Sequence, residues 1–191
     1  YLNTTRQGRI EKNRIYISDN YQHPVYFTGN LDTTIIANNF INCENTNNGA
    51  VNLSGQKYFF CNNTIVSSGS SGIHSTITIG GSNNFILNNI LVNSGSGSAI
   101  LIYSGASNIN SDYNCFFTDS AQSMGVWSTN TYCSDIQEWQ TQSGLDSNSI
   151  FAMPVFNSAT DFHTSSDTLN EAGIPLFYVL DDIDGEIRDS L

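Results

Sequence analysis

The sequence predicts an all-β solenoid of about four to five stacked coils of roughly 25 residues, closed by a C-terminal capping segment that contains a short helix. Three observations predict it. The first is a column of asparagines: Ile36-Ala-Asn-Asn39-Phe-Ile41, Phe60-Cys-Asn-Asn63-Thr-Ile65, Ile86-Leu-Asn-Asn89-Ile-Leu91 and Ser111-Asp-Tyr-Asn114-Cys-Phe116 repeat at 24, 26 and 25 residues. A step of 26 back from Asn39 lands on Asn13, within Ile10-Glu-Lys-Asn13-Arg-Ile15. The second is a separate column with the same period, made by Val25-Tyr-Phe27-Thr-Gly29, Val51-Asn-Leu53-Ser-Gly55, Ile77-Thr-Ile79-Gly-Gly81 and Ile100-Leu-Ile102-Tyr-Ser-Gly105. The third is composition. Only 12% of residues are charged, about half the globular norm, while asparagine occurs 25 times.

Within a repeat, the pairs Val25/Phe27, Val51/Leu53, Ile77/Ile79 and Ile100/Ile102 alternate in the manner of half-buried strands, and Gly or Ser-Gly then supplies a turn. The segments hold too many β-branched, Asn and Gly residues for helices. A period near 25 with short strands suits three strands per coil, so that each residue lies above its equivalent one coil away. Asn13, Asn39, Asn63, Asn89 and Asn114 are then expected at sharp bends, where Asn tolerates left-handed backbone and its amide can donate to the next Asn in a continuous ladder. The columns Ile41/Ile65/Leu91/Phe116 and Val25/Val51/Ile77/Ile100 are expected inside, each side chain contributing about 1.5–3 kcal/mol of burial. The hexapeptide period of a left-handed β-helix is absent.

After Phe117 the period is lost. Ser134-Asp-Ile-Gln137 reads as a capping box that opens a short helix through Trp139, stopped at Gly144. An open solenoid end exposes core and strand edges, so a cap is required, with Trp127, Trp139, Phe151, Phe156, Phe162 and Leu169 as candidate plug residues. Residues 1–118 are therefore read as coils and 119–191 as the cap of the same domain.

Over roughly residues 10–118 the sequence resembles the right-handed parallel β-helix, or pectate-lyase-like, superfamily with its asparagine ladder at the second turn. The tail runs Gly144-Leu-Asp-Ser-Asn-Ser-Ile150, Pro154-Val-Phe156, Asp161-Phe-His163, Ala172-Gly173 and Asp181-Asp-Ile-Asp-Gly-Glu-Ile-Arg188. That order is similar to the closing segment of secreted bacterial β-helix proteins. The resemblance implies a secreted or bacterial cell-surface location and a longer parent chain. The start at Tyr1 and the end at Leu191 agree with a fragment or processed product, with further coils expected before it.

Charge narrows the partners. Four acids and five bases precede Asp112, whereas 13 carboxylates from Asp112 onward face Arg188 alone. No basic stripe is present to track phosphates, and the acidic end would repel an anionic membrane, so neither nucleic acid nor membrane insertion is expected. Cys43, Cys61, Cys115 and Cys133 can pair in three ways and show no zinc spacing. Two readings stand: four buried free thiols, or a Cys115–Cys133 bridge across one loop.

Asp182-x-Asp184-Gly185 has the opening of a calcium loop without the Glu that would complete it, so calcium is the one cofactor to consider, against a tight acidic turn anchored by Arg188. His23, His74 and His163 are scattered; His74 reads as a surface residue and His163 as a structural hydrogen-bonder. Members of the resembled superfamily include lyases and glycoside hydrolases, which need a base with a cation, or neighbouring carboxylates. From Asn45 to Ser111 the only charge is Lys57, and Asp32, Glu44 and Asp112 occupy different repeat positions, so no catalytic residue is assigned. Tyr26, Tyr58 and Tyr103 are candidate sugar-stacking rings, and Asn52, Thr78 and Tyr103 the candidate binding set on one sheet. The expected function is a non-catalytic surface module, a stalk, adhesin or glycan-contacting face for a polysaccharide or cell-surface glycan. The alternative is the C-terminal end of a polysaccharide lyase or glycoside hydrolase whose active site lies in upstream coils.

Overall fold

The computed structural model describes residues 2–3, 8–18, 24–29, 32–44, 49–68, 74–119 and 123–188. Strands β1 (Leu2–Asn3), β2 (Gly8–Glu11) and β3 (Arg14–Ile17) precede four three-strand coils. These are β4 (Val25–Thr28), β5 (Thr34–Ala37) and β6 (Phe40–Cys43); β7 (Val51–Leu53), β8 (Tyr58–Cys61) and β9 (Thr64–Ser67); β10 (Ser75–Ile79), β11 (Phe85–Leu87) and β12 (Ile90–Asn93); and β13 (Ser98–Ile102), β14 (Asn110–Asp112) and β15 (Cys115–Thr118). β16 (Gly125–Trp127), β17 (Thr131–Cys133), helix α1 (Ile136–Ser143) and β18 (Ile150–Phe151) follow. Every third strand returns to the same sheet, giving sheet A (β1, β4, β7, β10, β13, β16), sheet B (β2, β5, β8, β11, β14) and sheet C (β3, β6, β9, β12, β15, β18). The chain is the parallel β-solenoid that the repeat predicts. Among the described strands only β17 runs antiparallel to its neighbour, β16.

The period becomes register. Val25 pairs with Val51, Val51 with Ile77 and Ile77 with Ile100. In sheet C, Ile15, Ile41, Ile65, Leu91 and Phe116 stack one above another. Sheet B adds Ile10, Ile36, Phe60 and Ile86. From Val25 through Phe116 these columns are buried and merge in one core. Each inward residue is thus shielded by its equivalents above and below, which is why one period of apolar positions suffices to fill the interior.

At the corner between sheets B and C the Asn side chains form a column. Nδ2 of Asn13 donates to Oδ1 of Asn39 (2.8 Å), Asn39 to Asn63 (2.8 Å), Asn63 to Asn89 (3.1 Å) and Asn89 to Asn114 (3.0 Å). The left-handed bend, however, falls one residue earlier, at Lys12, Asn38, Asn62, Asn88 and Tyr113, with φ between 54° and 59°. The expectation that one Asn does both jobs is corrected: in each Asn-Asn pair the first takes the bend and the second the ladder. Asp146 ends the ladder. This residue, 1% exposed, accepts from Asn114 Nδ2, Ser111, Ser149 and the Trp139 indole, while Ser149 Oγ accepts the Asn114 N–H as an Asn Oδ1 would. Burial raises the carboxyl pKa of Asp146, and these four donors oppose the shift.

The cap has two parts. Trp139, fully buried, closes the end of the solenoid against Trp127, with the rings 6.1 Å apart and nearly perpendicular. Helix α1 is capped by Asp135, which accepts from Glu138 N–H, so the N-cap lies one residue later than predicted, while the Glu138 carboxylate accepts from Ser134 N–H and Oγ; Gly144 stops the helix at φ 69°. From Ala152 onward the chain does not plug the end. It forms a strap along the outside of sheets B and C. Tyr16 OH donates to Thr160 O, Phe162 packs on Phe40 (5.7 Å), and Tyr178 meets Phe59 edge-on (5.0 Å). Val179 is buried against Ala37 and Cys61, with Ile35 and Leu87 beside them. Phe156 and Phe162 therefore serve the flank rather than the end; Phe151 is exposed and Leu169 half-buried. All four cysteines are free and buried, and burial pushes the Cys43 and Cys61 thiols up to about 12. Cys115 and Cys133 donate to Ala152 O and Thr131 O, so of the two readings the structure shows the buried free thiols and not the bridge.

Candidate functional site

The strap leaves an open cleft of about 230 Å³ over the corner between sheets B and C. Its floor holds the left-handed residues Asn38, Asn62 and Asn88, one per coil, and Phe40, Thr64 and Ile90, which stand in register in sheet C. Its roof holds Phe162, His163, Thr164, Asp182, Ile183 and Arg188. Because the second Asn of each pair is consumed by the ladder, the first projects its amide toward the strap.

Two of the three floor amides are used. Asn88 Nδ2 donates to Ile174 O (2.7 Å) and its Oδ1 accepts Ile174 N–H (3.0 Å). Asn38 Nδ2 donates to Asp181 O (2.9 Å) and its Oδ1 accepts from Arg188 Nη2 (3.1 Å). Asn62, in the coil between them, makes no side-chain hydrogen bond among the described residues, and its Nδ2 is a shielded donor without an acceptor. The Thr64 hydroxyl beside it is likewise unengaged among the described residues.

The charged lining is already compensated. Asp182 Oδ1 accepts the N–H groups of Asp184 and Glu186 at 2.9 Å each. Arg188 donates to Asp181 O and Asn38, and burial lowers its pKa against the pull of Asp182 and Asp181. His163 sits between Asp161 on Nδ1 and Asp184 on Nε2, while Arg14 holds the other Asp184 oxygen at 3.0 Å. Burial works against charging His163, but the two carboxylates outweigh it and raise its pKa. Among the described residues Asp182 is the one carboxylate in the lining, where acid–base hydrolysis uses a pair. What remains is an amide, a hydroxyl and the apolar edge of the packed Phe40–Phe162 pair, which suit a small neutral polar ligand.

The candidate binding set is divided. Thr78 pairs with Asn52 in register on sheet A, but they are 1% and 5% exposed, and Thr78 Oγ1 is bonded to Ser75 Oγ (2.8 Å). Tyr103 stands just after β13, 41% exposed, with its ring over Gly80. Tyr58 is a core residue, and Tyr26 OH accepts from Ser54 Oγ. Asp182 and Asp184 share no centre: the first closes a turn, and the second reaches Arg14 and His163 rather than Arg188. Among the described residues no group of three or more His, Cys, Asp or Glu is placed to hold a metal ion. His74 is nearly buried rather than on the surface, and His23 lies outside the described residues. Asn62, Thr64 and Asp146 were not singled out from sequence; the doubled asparagines at 38–39, 62–63 and 88–89 carry the signal for the first. No helix among the described residues is long and apolar enough to cross a membrane. No family model, curated protein or solved structure matches the chain.

Proposed function

We propose that the chain is a non-catalytic β-helix module of a secreted or cell-surface bacterial protein, of the pectate-lyase-like kind, that contacts glycans as an adhesin or stalk. The observation that supports this reading is the cleft beneath the strap, where an amide and a hydroxyl without partners among the described residues lie beside the packed Phe40–Phe162 pair, while the Asp182 carboxylate is occupied by backbone donors. Aromatic faces combined with a few convergent polar groups are what sugar-sized ligands require. A glycan array on the whole chain, with and without calcium, followed by product assays on each hit, tests it. Binding without turnover, indifferent to calcium, is the expected outcome. Released oligosaccharides would replace this reading with that of a polysaccharide-degrading enzyme, and silence on the array would leave a spacer.

A further inference from the structure

The three floor asparagines are equivalent by position, so the two that are engaged define what the third can take. Asn88 presents a donor and an acceptor side by side to Ile174, which returns an adjacent N–H and C=O. Asn38 uses the same two atoms on Asp181 O and Arg188. Asn62 carries the same pair on the same corner, one coil from each, and among the described residues the strap supplies it with no partner. Its Nδ2 is shielded, but the terminal amide torsion is soft and broad, so a partial rotation presents the Oδ1/Nδ2 edge to the cleft as Asn38 and Asn88 present theirs to the strap.

The complement of such a pair is a ligand edge with a donor next to an acceptor, as two neighbouring hydroxyls of a sugar ring provide. Charge does not select a different ligand, because Arg188, Asp182 and His163 each have protein partners. At about 230 Å³ the cleft lies below the ~300–1,000 Å³ of drug-sized pockets and has room for one ring, not a chain. Phe40 and Ile90 flank Thr64 on the floor, and the edge of the packed Phe40–Phe162 pair, with Ile90, gives the cleft an apolar side for the C–H face of a ring. We propose that Asn62 and Thr64 form a subsite for adjacent hydroxyls of one neutral sugar ring, with Asn62 accepting from one hydroxyl and donating to the other. The proposal rests on the glycan-contacting reading and names the ligand chemistry and the two residues.

The test is an NMR titration of the uniformly 15N-labelled chain with methyl β-D-glucopyranoside, methyl β-D-galactopyranoside and methyl α-D-mannopyranoside. Tetrahydropyran-2-methanol, a ring without adjacent hydroxyls, and methyl β-D-glucuronide serve as controls. The Asn62 side-chain amide is expected to shift and saturate with at least one neutral glycoside and not with tetrahydropyran-2-methanol. Asn62→Gly, which removes the amide yet keeps the left-handed bend, and Thr64→Val are each expected to weaken that glycoside by about tenfold, while Gln137→Ala on the exposed side of α1 leaves it unchanged. Saturation that survives Asn62→Gly would overturn the subsite and leave the glycan reading standing. Preference for the glucuronide would overturn neutrality. Failure of all three glycosides to saturate would overturn the subsite, and a silent array alongside it would remove the glycan reading too.

Discussion

The coils and the strap are built by opposite means from one chain. In the coils, parallel backbone ladders and in-register columns repeat the same contact every 23 to 26 residues, and almost no charge is used. The strap has little regular structure and is held by single side chains: Asn38 and Asn88 to its backbone, Arg9 to Tyr178 O, Lys12 to Asp181 at 2.6 Å and Arg14 to Asp184. Nearly all of these anchors lie on the early coils, so a segment that leaves the solenoid at its last coil returns along the flank to its first. A periodic region stabilises itself cooperatively; an aperiodic one borrows stability from what it touches. The strap should therefore be removable, and the coils should not.

Adjacent residues of one Asn-Asn pair test that difference most strongly. Asn89 Oδ1 accepts Asn63 N–H and Nδ2, and its own Nδ2 donates to Phe60 O, Leu87 O and Asn114. Asn89→Ala orphans several buried groups at once and is expected to cost about 3–5 kcal/mol of global stability, seen as a lower urea midpoint. Asn88→Gly, one residue away, keeps the bend and loses only the Ile174 contacts, so it should cost about 1 kcal/mol and act on the strap. Equal losses from the two variants would show that strap and coils unfold as one.

Phe162 gives the next largest effect. It is 3% exposed between Phe40 and Phe156, and truncation to Ala should weaken the strap by about 3 kcal/mol through lost burial and a cavity. Hydrogen exchange should rise across Asp161–Arg188 while the amides of β6, β9 and β12 stay protected. A matching rise in the coil amides would break the comparison.

The same contrast explains what could be read in advance. The coils were legible because each residue's neighbours sit one period away, so the columns 41/65/91/116 and 25/51/77/100 translate directly into register. The bend assignment missed by one because the ladder and the left-handed position are both asparagines in the pairs at 38–39, 62–63 and 88–89. Lys12 and Tyr113, the non-Asn members of the bend column, already separate the two roles. The strap escaped because its contacts have no period. Its trace lies in β8 and β11, Tyr-Phe-Phe-Cys and Phe-Ile-Leu, whose outward Phe59, Phe85 and Leu87 are apolar on the face away from the core. A sheet apolar on both faces must be covered on both. Asp146 sat inside a recognisable tail motif, but its role depends on Asn114 and Trp139 arriving from opposite directions in sequence. The cleft is less visible still, since an unpaired Asn62 can be recognised only once Asn38 and Asn88 are seen to be paired.

The smallest effect expected is also the most specific to the strap. His163 is held above its ordinary pKa by Asp161 and Asp184 despite burial. A group whose folded pKa is raised contributes stability that is complete below its unfolded value of about 6.5 and is lost as pH rises through the folded value. The groups facing the imidazole are Asp161, Asp184 and the edge-on Phe40 ring (5.1 Å), with Arg14 on the far side of Asp184. Deprotonation leaves the Arg14–Asp184 and Lys12–Asp181 pairs in place, so the strap loosens without detaching. Strap-opening free energies from hydrogen exchange, corrected for intrinsic rates, should fall modestly as pH rises above about 6.5 in the wild type and stay level in His163→Gln. The same drop in both proteins would place the pH response elsewhere, and a drop in β9 and β12 as well would mean that strap and coils are coupled more tightly than their construction implies.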